Sequence, residues 1–278
     1  MSRVLVTGGG GQLAADLVAA WPDAEVLAPP RRELDVTDRP AVEQLLQDAA
    51  PDLVLHAAAW TDVDGAEADP ERALAVNRDG TAHVASAARA VGARLVAFST
   101  DYVFDGDDPA GYVESSPTGP RSAYGRSKLA GEEAARRAHP EAYVVRTAWV
   151  FAPRGKNFVR TMLRLGSERE VVTVVDDQRG CPTYTAHLAA ATRTLLDACP
   201  PGTYHLAGGG SCSWYELASA TMTAAGLPAR VEPMSSADLD RPAPRPACSV
   251  LRTEHACTPR LPDWRQGLAD CLKEITHP

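Results

Sequence analysis

No stretch of this 278-residue chain stays apolar for long enough to cross a membrane, and its first residues lack the basic-then-apolar order of an export signal. That argues against a helical membrane protein, and a cytoplasmic protein is the expectation. No cysteine precedes Cys181. The six cysteines, Cys181, Cys199, Cys212, Cys248, Cys257 and Cys271, form no C-x-x-C pair and match no zinc spacing. Free thiols, buried or incidental, are therefore expected. The histidines are scattered; His255 lies near Cys257, but two ligands do not make a site, so no catalytic metal is expected. Positive charge is in deficit, with a formal net charge of −8, which argues against non-specific nucleic-acid binding. A small anionic ligand held by local arginines stays open. Internal repeats and low-complexity tracts are also missing.

What remains is the composition of an ordinary folded domain, 45% hydrophobic and 23% charged. The length suits one α/β domain, or one with a smaller appended lobe. Apolar runs predict strands at 3–7, 24–28, 52–57, 93–99, 142–147, 171–174 and near 203–207. Helical stretches alternate with them at 12–21, 38–49, 70–91, 123–138, 156–166, 184–198 and 213–225. Such alternation implies a doubly wound parallel sheet, the Rossmann type of α/β fold. From about residue 228 prolines break up any long element, so irregular chain is expected there, closed by a short helix near 264–274.

Between the first strand and helix lies Thr7-Gly8-Gly9-Gly10-Gly11-Gln12-Leu13-Ala14. Gly8 would allow the tight turn, Gly11 the close approach of a pyrophosphate, and Ala14 the packing of helix on strand. The N–H groups opening the helix would then face phosphate charge.

Tyr124-Gly125-Arg126-Ser127-Lys128 sets a phenol and an ammonium four residues apart, on one face of a helix. The cation is expected to pull the tyrosine pKa down towards working pH, and the phenol then to pass a proton to or from a substrate oxygen. Thr100, ending the run Phe98-Ser99-Thr100, would offer a hydroxyl to that same oxygen.

These features resemble the extended short-chain dehydrogenases/reductases. The finer resemblance is to the dTDP-4-dehydrorhamnose reductase family. It is carried by Gly11-Gln12-Leu13, Leu34-Asp35-Val36-Thr37-Asp38, Ala57-Ala58-Ala59 with Thr61, Val63 and Asp64, and the specific string Ser99-Thr100-Asp101-Tyr102-Val103-Phe104-Asp105-Gly106. Later strings are Arg146-Thr147-Ala148-Trp149-Val150-Phe151, Lys156-Asn157-Phe158-Val159, Asp177-Gln178-x-Gly180-x-Pro182-Thr183 and Arg245-Pro246-x-x-Ser249. The match runs through nearly the whole chain.

The resemblance implies a nicotinamide-dependent 4-ketoreductase of a nucleotide-linked 6-deoxy sugar. It implies Thr100, Tyr124 and Lys128 as catalytic residues. Gly8, Gly11, Gln12, Leu13, Asp35, Val36, Ala57, Ala58, Ala59, Thr61, Ser99, Tyr124 and Lys128 would hold the cofactor. Val63, Thr100, Asp101, Tyr102 and Trp149 would surround the sugar, although Trp149 reads equally as a core aromatic. For the diphosphate Lys156, Arg160, Arg241 and Arg245 are candidates, Arg245 first. Residues 1–155 with about 181–205 would form the NADP-binding domain, and about 156–180 with 206–278 the substrate lobe and C-terminal segment.

Departures from the pattern matter for the details. Where such folds carry a carboxylate for the adenosine ribose, this chain has Ala28-Pro29-Pro30-Arg31-Arg32, and two guanidinium groups suit a 2′-phosphate. NADPH is the expected cofactor, with NADH as the alternative. Some relatives dimerise through a metal held by glutamates; Asp16 and Glu274 match two such positions, but Ala186 stands at the third, so monomer and homodimer both stay open. A different 4-keto sugar nucleotide, or a non-catalytic NADP-binding subunit resembling the regulatory subunit of methionine adenosyltransferase, remains an alternative. A dehydratase is excluded, because Tyr102 stands where that class carries a glutamate.

Overall fold

The computed structural model describes residues 2–276. The amino-terminal half alternates β1 (Ser2–Thr7), α1 (Gln12–Ala20), β2 (Ala24–Leu27), α2 (Arg39–Ala49), β3 (Leu53–His56), α3 (Val63–Ala68), α4 (Pro70–Leu74), α5 (Thr81–Ala90) and β4 (Arg94–Thr100). After a single 3₁₀ turn over Asp101–Val103 come α6 (Ala123–Ala138), β5 (Tyr143–Thr147), β6 (Val150–Phe151), α7 (Phe158–Glu168), β7 (Val171–Val175), β8 (Arg179–Gly180) and β9 (Thr183–Tyr184). The chain ends with α8 (Thr185–Ala198), β10 (Thr203–His205), β11 (Cys212–Ser213), α9 (Trp214–Ala224), β12 (Arg230–Met234) and α10 (Trp264–Thr276).

Six strands pair in parallel in the order β2-β1-β3-β4-β5-β10. Their side chains alternate faces, as extended chain requires. Val4, Val6, Leu55, Val96 and Val145 pack with Leu17 of α1 and Leu188 and Leu195 of α8. Leu5, Val54 and Leu95 point the other way, into Val42 and Leu46 of α2 and Val84 and Ala88 of α5. Both faces are covered, so the strands read as continuous apolar runs. From β1 the order runs one way to β2 and the other way to β3. That reversal opens a crevice at the carboxyl ends of β1 and β3, where doubly wound folds receive ligands.

Several expectations are corrected. The strand at 171–175 leaves the main sheet and pairs in parallel with β12, inside the region expected to be irregular. Pro233 sits in β12, tolerated because a two-stranded ribbon has free edges on which a missing N–H costs no ladder bond. The helix at 70–91 is interrupted by a π-helical turn over Ala75–Gly80, and the short helix α3 precedes it. Cys199 and Cys257 form a disulfide across 58 residues, with Cα atoms 5.6 Å apart, where free thiols were expected. Cys181, Cys212, Cys248 and Cys271 are free and buried.

Candidate active site

The glycine turn closes as a turn only glycine can make. Gly8 has φ +75°, and a Cβ there would lie 2.9 Å from the Ala58 backbone. Behind it, the buried His56 ring contacts the hydroxyls of Thr7 (2.8 Å) and Thr81 (3.0 Å), tying β1, β3 and α5 together under the turn. Burial and the Lys128 cation hold its pKa down at about 3, so the ring is neutral.

Above the turn lies a cavity of about 340 Å³ lined by Gly8, Gly10, Gly11, Arg31, Leu34, Asp35, Val36, Ala57, Ala58, Ala59, Trp60 and Val76. The predicted residues Gly8, Gly11, Arg31, Asp35, Val36, Ala57, Ala58 and Ala59 thus meet in one place. Leu34, Trp60 and Val76 were not foreseen as walls. The π-helical turn explains Trp60: it carries Asn77, whose amide accepts from the Trp60 N–H (2.8 Å) and donates to the Trp60 carbonyl (3.0 Å) and to Ser127 Oγ on α6 (2.9 Å).

Other predicted cofactor residues lie elsewhere. Gln12 lines a smaller neighbouring cavity and is bonded to the start of α7, donating to the Lys156 carbonyl and accepting from Asn157. Leu13 packs against the apolar core. Arg32 is exposed and paired with Glu33 at 3.1 Å, outside the cavity lining, and Thr61 is exposed outside it too. Ser99 donates to Glu132 Oε1 at 2.6 Å and is buried.

The proton-transfer group is assembled by α6. Ser122 caps the helix by accepting from the Gly125 N–H at 3.0 Å. A Cβ on Gly125 would meet the Tyr102 carbonyl at 2.2 Å, so the missing side chain lets the helix sit against the segment after β4. Tyr124 is thereby buried beside Thr100, with Tyr102 edge-on at a centroid distance of 5.6 Å and Val63 in the same apolar cluster.

The electrostatics correct the sequence reading. Lys128 Nζ donates to the Phe98 carbonyl at 2.7 Å instead of reaching the phenol. Burial pushes the Tyr124 pKa up to about 12; a hydrogen bond with Thr100 works against it and the Asp101 charge adds to it. Burial brings Lys128 down to about 8, against the pull of Glu132 one turn on. Thr100 is also differently employed, donating to Asp101 Oδ1 at 3.0 Å. Asp101 is buried, and desolvation raises its carboxyl to about 6.

Beneath this group Glu132 receives two parallel bonds from Arg146, Nε at 2.9 Å and Nη2 at 2.8 Å, besides the Ser99 hydroxyl. Sequence spacing gave no sign of the pair beyond Arg146 standing in a strand that is otherwise apolar.

Trp149 sits at φ +47°, a conformation side chains avoid, and its indole stacks on Trp214 at 3.5 Å and 3°. It is half-buried, at the junction of two apolar clusters. Arg245 is held by Asp64, with Nη1–Oδ1 at 2.8 Å and Nη2–Oδ2 at 2.7 Å, and is not a free cation. Burial raises the Asp16 carboxyl and the Glu274 charge adds to that, Glu274 accepts the Tyr184 hydroxyl, and Ala186 is packed against the apolar core. Among the described residues, one group of three metal-ligating types converges, Glu114, Glu254 and His255. The carboxylates of that group accept from His205 N, Glu254 N, Ser115 N and Ser115 Oγ, so they act as loop ties.

The arrangement pairs a glycine-walled crevice with a protonated phenol, a lysine and a hydroxyl, which is a site that can protonate an oxygen beside a bound nucleotide.

Residues 2–277 match the family described as the RmlD substrate binding domain. A dTDP-4-dehydrorhamnose reductase of Streptomyces griseus is 44% identical, the alignment covering 98% of this chain and 94% of that one. A protein of Streptomyces antibioticus described as a probable dTDP-4,6-dihydroxy-2-methyloxan-3-one 4-ketoreductase is 40% identical over 98% of this chain and 95% of its own. The crystal structure of dTDP-4-dehydrorhamnose reductase from Bacillus anthracis in complex with NADP superposes with a TM-score of 0.95 at 38% identity, covering 99% of this chain and 100% of that one. Full-length coverage at these identities makes the conclusion direct: this chain belongs to the dTDP-4-dehydrorhamnose reductase family.

Proposed function

We propose that the protein is an NADPH-dependent 4-ketoreductase of a nucleotide-linked 6-deoxy sugar, converting dTDP-4-dehydrorhamnose to dTDP-rhamnose. The observation that carries this reading is the buried Thr100, Tyr124 and Lys128 group at the end of β4 and start of α6, joined to the crevice above the glycine turn by Trp60, which lines the crevice and packs against the Tyr124 cluster, in a chain of this family.

The crevice fits a dinucleotide. The turn at Gly8, Gly10 and Gly11 leaves the wall free of side chains, and the helix behind it presents unpaired N–H groups. Gly8, Gly10, Gly11, Arg31, Asp35, Val36, Ala57, Ala58 and Ala59 would hold the cofactor. When bound, the reduced nicotinamide supplies a hydride to the sugar C4. The chain's own part is proton supply and charge stabilisation. Tyr124, whose pKa of about 12 keeps its proton in place at neutral pH, donates it to the oxygen that becomes negative. Lys128 then stabilises the phenolate left behind through its charge. Asp101 accepts the Thr100 proton, which leaves the Thr100 lone pairs facing the phenol.

We read residues 1–155 with about 181–205 as the cofactor domain and the remainder as the substrate lobe. In this reading the enzyme is cytoplasmic, takes a small sugar nucleotide rather than nucleic acid, and is a monomer or homodimer; the net charge of −8 supports the preference. Among the described residues no helix is long and apolar enough to cross a membrane. The Streptomyces antibioticus relative favours a second reading, in which the ketone belongs to another deoxy sugar. The test is oxidation of NADPH with dTDP-4-keto-6-deoxyglucose, with and without a 3,5-epimerase. Oxidation that needs the epimerase supports the first reading, oxidation without it the second, and none in either case contradicts both.

Two predictions follow from the site's charges. Arg31 lines the crevice and is held by Asp35 at 3.2 Å, with an exposed guanidinium free to meet a 2′-phosphate. Arg31→Ala should lower kcat/KM with NADPH by about tenfold to a hundredfold, the worth of a charge-assisted bond, and leave NADH turnover near wild type. Equal losses with both cofactors would contradict that role. The second concerns pH. Lys128 is charged below about pH 8 and loses its proton as pH rises through that value. Reduction should therefore decline on the alkaline side, from about pH 8 upward, with no acid-side counterpart from Tyr124. In Lys128→Arg that limb should leave the accessible range; a wild-type profile that stays flat to about pH 10 contradicts the assignment.

A further inference from the structure

Two arginines face the same corner of the site, and only one has a counter-ion. Arg245 spends its charge on Asp64 of α3 and donates as well to the Ala243 carbonyl at 2.7 Å. The Ala243 N–H donates to the same carboxylate at 3.2 Å. Asp64 therefore pins the chain at 243–245 to α3, and Arg245 serves as the pin.

Arg241 opens that stretch. It is exposed, and among the described residues it has neither a hydrogen bond nor an ion pair. The groups that act on its charge are Arg245, Asp64 and Tyr102. Partial burial and the Arg245 guanidinium both hold its pKa below the ordinary arginine value, outweighing the opposite pull of Asp64, which is already bonded to Arg245. Tyr102 is the link to the chemistry, since its ring lies edge-on to Tyr124 at 5.6 Å. Tyr102 thus touches the acid and lies within electrostatic reach of the unpaired guanidinium. In a pyranose whose C4 oxygen meets Tyr124, C1 lies across the sugar ring, so a charged group on C1 is held away from the acid and needs a partner of its own.

We propose that Arg241 is the anchor for the diphosphate of the sugar nucleotide, and that Arg245, locked to Asp64, is the fixed wall beside it. The inference rests on the sugar-nucleotide reading above and deepens it. A guanidinium suits the task because its fork of donors matches phosphate oxygens. Its unpaired state means that no resident carboxylate has to be displaced when the ligand arrives.

The experiment is calorimetric titration of the full chain with dTDP, UDP, GDP and thymidine, in wild type, Arg241→Gln and Arg241→Lys. For dTDP, Arg241→Gln should weaken binding by about 10- to 100-fold, and Arg241→Lys should restore part of it. Thymidine, which has no phosphate, should bind both variants as it binds wild type, and NADPH affinity should not change. If dTDP binds Arg241→Gln as tightly as wild type, the assignment of Arg241 is overturned while the sugar-nucleotide reading stands. If wild type binds none of the three nucleoside diphosphates, that reading fails and takes this assignment with it. A loss that extends equally to thymidine also overturns it, since the effect would not lie in the diphosphate.

Discussion

Tyr124→Phe is expected to lower kcat by about 10²- to 10⁴-fold, the usual cost of losing a positioned proton donor, while NADPH still binds with near wild-type affinity. The substitution removes one oxygen from a buried ring and leaves the shape of the cluster with Ala66, Ala73, Ala123 and Tyr102 intact, so folding is not at risk. The argument for a large effect is geometric. Tyr124 is the phenol that shares a hydrogen bond with Thr100, and burial keeps it protonated at neutral pH. Tyr102, its neighbour, is half-buried, and its pKa is pushed up by desolvation and by the Asp101 charge. It meets Thr100 through its backbone N–H rather than its phenol, and should not substitute. Single-turnover rates together with a separate NADPH binding measurement check this. A variant retaining more than about a tenth of the rate would remove Tyr124 from the role of acid.

The second large effect is on stability. Glu132 is 1% exposed and Arg146 5% exposed at their side chains, and they pair at 2.8 Å in the core between α6 and β5. Removing one partner strands the other's charge in a medium that cannot solvate it. Glu132→Gln should therefore cost about 3–5 kcal/mol, read as a lower urea midpoint at unchanged slope. Glu132→Leu combined with Arg146→Met should recover much of the loss, since a well-packed apolar pair avoids the desolvation of both ions. A loss under about 1 kcal/mol for the single variant would mean that water reaches the pair. The same carboxylate also supports the chemistry: it raises the Lys128 pKa against burial, so Glu132→Gln should move the alkaline limb of the rate profile below pH 8.

Features governed by local spacing were legible in the sequence. The strand Leu53–His56 has every residue buried, and a fully buried strand needs no alternation to be seen. The Tyr124 and Lys128 spacing placed both on α6 because Ser122 caps it and no proline intervenes. The glycine turn was readable from its position between a strand and a helix.

Features set by distant partners were not. Arg245 looked like a free cation because Asp64, its counter-ion, is 181 residues away. Cys199 and Cys257 matched no pattern because their approach depends on how the chain after β10 returns along the sheet edge. The pKa of Tyr124 was misjudged in direction. Helical spacing brings an ammonium near a phenol, but it does not show that the Phe98 carbonyl takes that ammonium first, nor that both groups are buried. The π-helical turn at Ala75–Gly80 belongs to the same class. Its purpose, to aim Asn77 at Trp60 and Ser127, becomes visible only once α6 lies beside it.

The central claim is that this chain delivers hydride to C4 of a dTDP-linked 4-keto-6-deoxy sugar, with Tyr124 as the acid. It is tested most directly by supplying nicotinamide deuterated at its transferable position and locating the label in the product by NMR. The account predicts deuterium at C4 of dTDP-rhamnose, formed only when the 3,5-epimerase is present, and no labelled product from Tyr124→Phe on the same timescale. Label at another carbon, or full consumption of substrate with no label in the sugar, would contradict it.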